Sequence, residues 1–152
     1  MQTDRDLAGL QHAIAQARIG REEGGVPIGG ALVADDGSVL GLGHNRRVQQ
    51  NSAIRHGETD ALENAGRQPA SVYRRSTMYT TLSPCDMCTG AILLYGIPRV
   101  VMGENRTFVG GEDYLRSRGV EVVNLDSQEC VDLMNEFIAE HPDIWNEDIG
   151  EE

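Results

Sequence analysis

The chain has 152 residues and a mass of 16.6 kDa, the size of one ordinary globular domain. Its 39% hydrophobic and 24% charged residues exclude a disordered or fibrous protein, and no apolar run approaches the roughly 20 residues that span a bilayer. With 13 basic residues, all of them arginine, and 24 acidic residues, the formal charge is −11, which argues against binding to nucleic acid or to an anionic membrane.

The first third of the chain predicts a helix followed by a hairpin. A capping signal at Thr3 precedes apolar residues at helical spacing, which predict a helix to about Glu23 that ends at two glycines. Two β-type runs, Ile28 to Ala34 and Val39 to Asn45, flank an Asp-Gly step that favours a tight turn. Residues 46–52 are polar and are predicted to form a loop.

The rest of the chain alternates between helices and strands. Helices are predicted from His56 to Ala65, Pro84 to about Gly96, Glu112 to Ser117 and Gln128 to Glu140, and strands from Thr77 to Thr81, Arg99 to Met102 and Glu121 to Leu125. Pro142 is expected to stop the last helix. Such alternation predicts crossover units, hence an α/β fold of about five strands with helices on both faces of the sheet. We expect residues 1–152 to form a single domain.

Cysteine usage points to metal binding rather than disulfides. The chain has three cysteines, an odd number, and its polar amphipathic N-terminus lacks the apolar segment of a signal peptide, so we expect a cytoplasmic protein. Cys85 and Cys88 lie three residues apart in the first turn of a predicted helix, where the sulfurs share one face and the helix dipole favours thiolates. Cys130 is interpreted as a packing residue.

His56 begins another predicted helix and supplies a third candidate ligand. Three protein ligands leave the fourth tetrahedral position for water, which is typical of catalytic zinc sites. Glu58, two residues later, can sit beside the metal without binding it and can carry a proton from the zinc-bound water to a ring nitrogen or a leaving amine. Each element alone is ambiguous, but His-x-Glu followed by Pro-Cys-x-x-Cys is the pattern of zinc deaminases.

The sequence resembles the cytidine and cytosine deaminase superfamily, and most closely the small, fungal-type cytosine deaminases. The similarity extends along most of the chain. Its specific parts are TLSPCDMCTGAILLYGIPR, which includes the zinc motif, and the tail WNEDIGE. The resemblance implies a three-layer α/β/α sandwich with a mixed five-stranded sheet, a homodimer, one Zn²⁺ per subunit, and hydrolytic release of ammonia from a small nucleobase in pyrimidine salvage.

The same resemblance implies roles for individual residues. His56, Cys85 and Cys88 match the metal ligands, and Glu58 matches the proton shuttle. Asn45 matches the residue whose amide holds the pyrimidine edge, a role that suits a side chain with both a donor and an acceptor. The other implied substrate-binding residues are the Gly57 N–H, Ile28, Leu82, Ser83, the aromatic walls Phe108 and Trp145, and Asp148, which would face the leaving amino group.

Several positions depart from the fungal pattern and leave the substrate open. That pattern has an apolar residue in place of Arg55, small polar residues in place of Thr59 and Asp60, and a second aromatic in place of Asn146. Cytosine is the first expectation. Isocytosine or another small amino-azaheterocycle, such as guanine, a pterin or creatinine, is the alternative, and a tRNA adenosine deaminase or a non-catalytic zinc module are further rivals. His12, His44 and His141 are not predicted to be ligands, and the glycine pairs do not form a dinucleotide fingerprint.

Overall fold

A five-stranded mixed sheet forms the centre of the molecule in the computed structural model, which describes residues 3–151. The strands are β1 (Gly29–Ala34), β2 (Val39–His44), β3 (Ser76–Thr80), β4 (Arg99–Met102) and β5 (Glu121–Asn124), in the spatial order β2-β1-β3-β4-β5. β1 is antiparallel to both β2 and β3, whereas β3, β4 and β5 are parallel.

Within the described residues, eight helices connect or flank these strands. They are α1 (Asp4–Glu22), α2 (Arg47–Gln50), α3 (Gly57–Ala65), α4 (Ala70–Tyr73), α5 (Asp86–Tyr95), α6 (Glu112–Ser117), α7 (Gln128–Glu140) and α8 (Pro142–Asp148). The predicted α/β class, with helices on both faces of a mixed sheet, is confirmed. Among residues 3–151, no helix combines the length and the hydropathy that a bilayer span requires.

Most predicted elements agree with the structure to within two residues, but three short helices were not predicted. The predicted loop 46–52 contains α2, and α4 precedes β3. Pro142 follows the end of α7, as expected, but it also begins α8, because a proline suits the first turn of a helix.

Alternating side chains along the strands divide the core into two layers. On one face of the sheet, Ala31, Tyr79 and Val101 pack against α1 and α7. On the other face, Met78 and Val100 pack with residues of α3, α5 and α6. This is the period-2 pattern expected of strands that are covered on both sides.

Glycines in β1 and β2 let α3 lie directly on the sheet. A Cβ atom at Gly43 would come within 2.3 Å of the Ala61 backbone nitrogen, and one at Gly30 within 2.6 Å of the Gly57 carbonyl oxygen. Side chains at these positions would push the helix away. The glycines therefore set the height of the helix whose N-terminus carries His56 and Glu58.

A third apolar cluster lies at one edge of the sheet, near the ends of β3 and β4. It joins Val26, Ile28 and Leu82 to Phe137 of α7 and Trp145 of α8. The C-terminal helices thus return to the same edge at which α3 and α5 begin.

Candidate metal centre and active site

The predicted ligands stand at the N-termini of two helices that meet at this edge. His56 is the N-cap of α3, with extended backbone angles, and its N–H donates to the Thr59 hydroxyl over 2.8 Å. Cys85 is the extended N-cap of α5, and Cys88 lies in the first turn of that helix, where it is buried. The extended backbone at both caps is the conformation expected where a helix starts.

The three ligand atoms are spaced as one metal ion requires. His56 Nδ1 lies 3.4 Å from Cys85 Sγ and 3.7 Å from Cys88 Sγ, and all three atoms lie within 4.8 Å of one another. A tetrahedral zinc ion, with Zn–N about 2.05 Å and Zn–S about 2.3 Å, would place N and S about 3.6 Å apart. The site therefore fits zinc and offers three protein ligands to it.

The electrostatics of the site already favour one thiolate. The hydrogen bond from Cys88 lowers the pKa of Cys85 to about 4, and His56 lowers it further against the opposing effect of burial. The same pairing and burial raise the pKa of Cys88 well above its ordinary value. Sulfurs that share a proton in this way are prepared for a cation that displaces it.

Glu58 lies within the protein beside these sulfurs. Its side chain is 3% exposed, and burial, with the charge of Cys85, raises its pKa to about 7. A carboxylate held next to a metal site without being a predicted ligand is suited to proton transfer.

Asn45 and Asp148 meet beside the histidine. The Asn45 Nδ2 group donates to Asp148 Oδ1 over 3.1 Å, and the same oxygen lies 3.5 Å from His56 Nε2. Arg47 Nε lies 3.1 Å from that oxygen as well. Asp148 of α8 therefore touches both a candidate substrate anchor and a candidate ligand. Its pKa is raised by burial, against the lowering effect of His56 and Asn45.

These residues surround one small cavity of about 20 Å³. Its walls are formed by Ile28, His56, Glu58, Leu82, Ser83, Cys85, Phe108, Trp145, Asp148 and Ile149. The structure thus brings together nine of the sequence-predicted residues. Cys88 lies beside His56, Asn45 touches Asp148, and Gly57 begins α3. Ile149 was not predicted, although it lies inside the tail motif WNEDIGE.

The aromatic wall is held by a buried polar loop. Phe108 and Trp145 meet edge to face, with ring centroids 6.0 Å apart and an interplanar angle of 89°. Glu104 is fully buried and accepts hydrogen bonds from the backbone N–H groups of Arg106 and Thr107, the two residues before Phe108. The Ser83 hydroxyl donates to Glu112 over 2.6 Å and accepts the N–H of Gly110, so it is engaged on both sides.

Two features of this site escaped the sequence analysis. Arg47 was placed in a featureless loop, yet it pairs with Asp148 and with Glu147. Asp60 departs from the fungal pattern and was expected, with Arg55, only to alter the pocket mouth or its hydrogen bonding; the structure shows it fully buried and paired with Arg46 and Arg55. The sequence feature that could have indicated this ion pair is the presence of an arginine at position 55 and an aspartate five residues later, at position 60.

A much larger groove, of about 760 Å³, lies elsewhere on the protein. It runs along the outer sides of α3 and α5 and is lined by exposed apolar residues, among them Ile54, Leu94 and Tyr95. The groove contains no predicted ligand and no predicted substrate-binding residue. The small cavity has the metal-binding and titratable groups, so it is the candidate active site.

Known proteins with similar sequences are deaminases. Residues 3–104 match the cytidine and deoxycytidylate deaminase zinc-binding region. A cytosine deaminase of Candida albicans is 62% identical over 146 residues, covering 96% of this chain and 97% of the relative. A tRNA-specific adenosine deaminase of Streptococcus pyogenes is 36% identical over 108 residues, covering 70% of this chain and 67% of the relative.

Solved structures share the fold. A structure from a study of A-to-I editing by tRNA:A34 deaminases superposes with a TM-score of 0.69 at 26% identity, covering 84% of this chain and 99% of that one. A guanine deaminase from Nitrosomonas europaea gives a TM-score of 0.71 at 22% identity over 91% of this chain and 86% of that one, a likeness of fold alone. The predicted resemblance and the zinc cofactor are confirmed, and the chain belongs to the zinc-binding cytidine and deoxycytidylate deaminase family, whose members are hydrolases of C–N bonds.

Proposed function

We propose that this protein hydrolyses cytosine to uracil and ammonia. The observation that carries the proposal is the small cavity in which the buried Glu58 lies beside three ligand atoms at zinc spacing. The 62% identity to a cytosine deaminase over nearly the whole chain supports cytosine as the ring.

Glu58 would move the protons of the reaction. When bound by His56, Cys85 and Cys88, one zinc ion per subunit lowers the pKa of a water molecule toward about 7. Glu58 takes a proton from the attacking water and delivers it to the ring nitrogen beside the amino-bearing carbon. Glu58 then takes the proton of the hydroxyl group that has added to the ring carbon and passes it to the amine as the C–N bond breaks, so that water and cytosine yield uracil and ammonia.

Asn45 and Asp148 would hold the ring in register. The Asn45 Oδ1 atom accepts the Arg47 N–H over 3.0 Å and Nδ2 donates to Asp148, which leaves one lone pair and one hydrogen of the amide for the pyrimidine edge. The Gly57 N–H assists Asn45, and the Asp148 carboxylate is suited to accept from the leaving amino group. Ile28, Leu82, Ser83, Phe108 and Trp145 form the surrounding walls that exclude water.

An ammonia-release assay tests this function. We expect zinc-loaded protein to act on cytosine with a higher kcat/KM than on isocytosine, cytidine, guanine or creatinine. Glu58→Ala should keep its zinc and lose about 10²- to 10⁴-fold in kcat, the range for loss of a general acid–base.

Other outcomes would reassign the function. Preference for another ring would change the substrate, and ammonia release from none of them would favour a non-catalytic zinc module. Salt-dependent binding and deamination of tRNA would favour the activity named for the Streptococcus pyogenes relative, which the net charge of −11 disfavours.

We further propose that the protein is a homodimer and that the groove along α3 and α5 is its interface. Leu94 is 75% exposed and Ile54 63% exposed, and both line this groove. Arg67 and Glu63 line it too, so a two-fold axis that passes between them would pair Glu63 of each copy with Arg67 of the other. A second copy of the chain is the occupant that supplies both apolar surface and complementary charge.

The setting and extent of the enzyme are proposed on similar grounds. Residues 1–152 would form one domain, because the tail residues Trp145 and Asp148 line the same cavity as the zinc motif. Cytoplasmic location would keep the three free thiols reduced, as ligation by Cys85 and Cys88 requires. Neither nucleic acid nor a membrane is proposed as a partner.

A further inference from the structure

Asp60 is a buried carboxylate outside the lining of the cavity. It lies on α3 two residues after Glu58 and is 0% exposed. Oδ2 accepts the His44 N–H and Arg46 Nε, each over 2.9 Å, and Oδ1 accepts Arg55 Nε over 2.7 Å. One carboxylate thus joins α3, which begins at His56, to the end of β2 and to the loop that follows β2.

Asn45 lies between two of these contacts. His44 precedes it and Arg46 follows it, so Asp60 holds the chain on both sides of the amide. The Asn45 N–H donates to the Ile28 carbonyl over 2.9 Å, which is a third contact that holds this part of the backbone. These contacts fix the backbone of Asn45, while the Arg47 N–H and Asp148 hold its side-chain amide.

The carboxylate is buried, and both arginines reach it from partly exposed positions. The arginine side chains are 25% and 28% exposed. Burial alone would raise the pKa of Asp60, but hydrogen bonds from Arg46, the His44 N–H and Arg55 outweigh burial, so the pKa lies below its ordinary value. Removing the charge leaves these donors without an ionised partner.

We propose that Asp60 is a positioning residue that fixes Asn45 relative to Glu58 and so sets where the substrate edge lies. The inference rests on the proposed function, in which Asn45 binds the ring and Glu58 moves its protons. Arg46 and Arg55 act with Asp60 as a charged cross-link between the substrate anchor and the proton shuttle.

The isosteric variant Asp60→Asn separates this role from simple packing. Asn45 would contact the ring in both the bound and the transition state, so its displacement should raise KM with little change in kcat. We expect KM for cytosine to rise about tenfold or more, the scale of a lost charge-assisted hydrogen bond, with the zinc content unchanged.

A double-mutant cycle with Asn45→Ala tests whether Asp60 acts through Asn45. In the Asn45→Ala background, Asp60→Asn should change KM by less than about twofold, since the group being positioned is gone. If the two losses instead multiply in full, Asp60 does not act through Asn45 and the proposal is overturned.

Asp6 provides a matched control. It is also 0% exposed and pairs with an arginine, Arg99, over 2.6 Å, but it lies at the start of α1 and bonds to the opposite end of the sheet. Asp6→Asn should lower stability and leave KM unchanged. An equal rise in KM for both variants would assign Asp60 a merely structural role.

Two further measurements cover the other outcomes. If Asp60→Asn does not fold, Arg46→Gln can replace it. This variant removes one ion pair with Asp60 at a partly exposed position and should raise KM by a smaller factor. The Asn45 side-chain amide signal in NMR spectra of the zinc-loaded protein should shift in Asp60→Asn and not in Asp6→Asn. An unmoved signal refutes the inference whatever the substrate is, whereas wild-type inactivity on cytosine refutes only the proposed function.

Discussion

At the scale of single residues, two sulfurs and one imidazole nitrogen determine whether a metal is held. His56 Nδ1 lies 3.4 Å from Cys85 Sγ and 3.7 Å from Cys88 Sγ, so the three atoms can bind one ion together. Loss of any one of them leaves only two protein ligands. Two remaining protein ligands do not meet the requirement of a catalytic zinc site.

Cys85→Ala should therefore lose zinc and turnover together. Cys130→Ala is the matched control, because Cys130 is also a buried free thiol but packs in the core between α7 and the sheet. We expect zinc near one equivalent per chain in wild type and in the control, and close to none in Cys85→Ala, by elemental analysis. Full zinc in Cys85→Ala would show that the sulfur is not a ligand.

How much of the site the sequence revealed depends on how far apart its partners are along the chain. The zinc motif was predictable because two cysteines in one helical turn and a His-x-Glu at a helix start carry their geometry locally. Asp148 and Trp145 came from resemblance alone, since only the packing of α8 brings the tail back to the cavity. The pairing of Asp60 with Arg46 was invisible because it joins two different elements.

At the scale of elements, the approach of α3 to the sheet depends on glycine. Gly43→Ala would place a Cβ 2.3 Å from the backbone of α3, and overpacking of this kind costs about 1–3 kcal/mol. Gly90→Ala is the control: within residues 3–151 a Cβ there meets nothing within 4 Å, and alanine favours the α5 helix by about 0.5–1 kcal/mol.

Urea unfolding of the zinc-loaded variants measures this difference. Gly43→Ala should unfold at lower urea than wild type, and Gly90→Ala at the same or higher urea. Equal stability of Gly43→Ala and wild type would mean that α3 can shift on the sheet without cost. The fold class itself was predictable from alternating patterns, whereas α2 and α4, with four residues each, are too short to show a period.

We expect the helix α8 to move when substrate enters. The cavity of about 20 Å³ holds about one water molecule, far less than a pyrimidine ring, and α8 contributes Trp145 and Asp148 to its wall. Trp145 is the only tryptophan in the chain, so its fluorescence reports on this wall.

Uracil, the proposed product, should change the emission of Trp145 with saturable dependence on concentration. Asn45→Ala should weaken or abolish the response, because the ring anchor is lost. Calorimetric binding of uracil without any change in emission would place the entry route on another side of the cavity.

At the scale of the whole molecule, the exposed groove between α3 and α5 bears on assembly. Leu94→Asp replaces a side chain that is 75% exposed, so it should cost the isolated chain little while opposing burial of the groove. Leu7→Asp, on a 43% exposed position of α1, is the control on the other face of the sheet.

Sedimentation equilibrium separates the two cases. Wild type and Leu7→Asp should have about twice the chain mass of 16.6 kDa, and Leu94→Asp should approach that mass. A wild-type mass of one chain would refute the dimer, and a dimeric Leu94→Asp would move the interface away from this groove.

The candidate metal ligands follow two parts of the sheet that differ in strand direction. His56 follows the antiparallel hairpin β1–β2, whereas Cys85 and Cys88 follow β3, from which the parallel strands continue. An ion bound there would cross-link these two parts of the structure as well as take part in catalysis. Chelating agents in a purification buffer would then lower the resistance of the enzyme to heat and to proteases, and would also abolish its turnover.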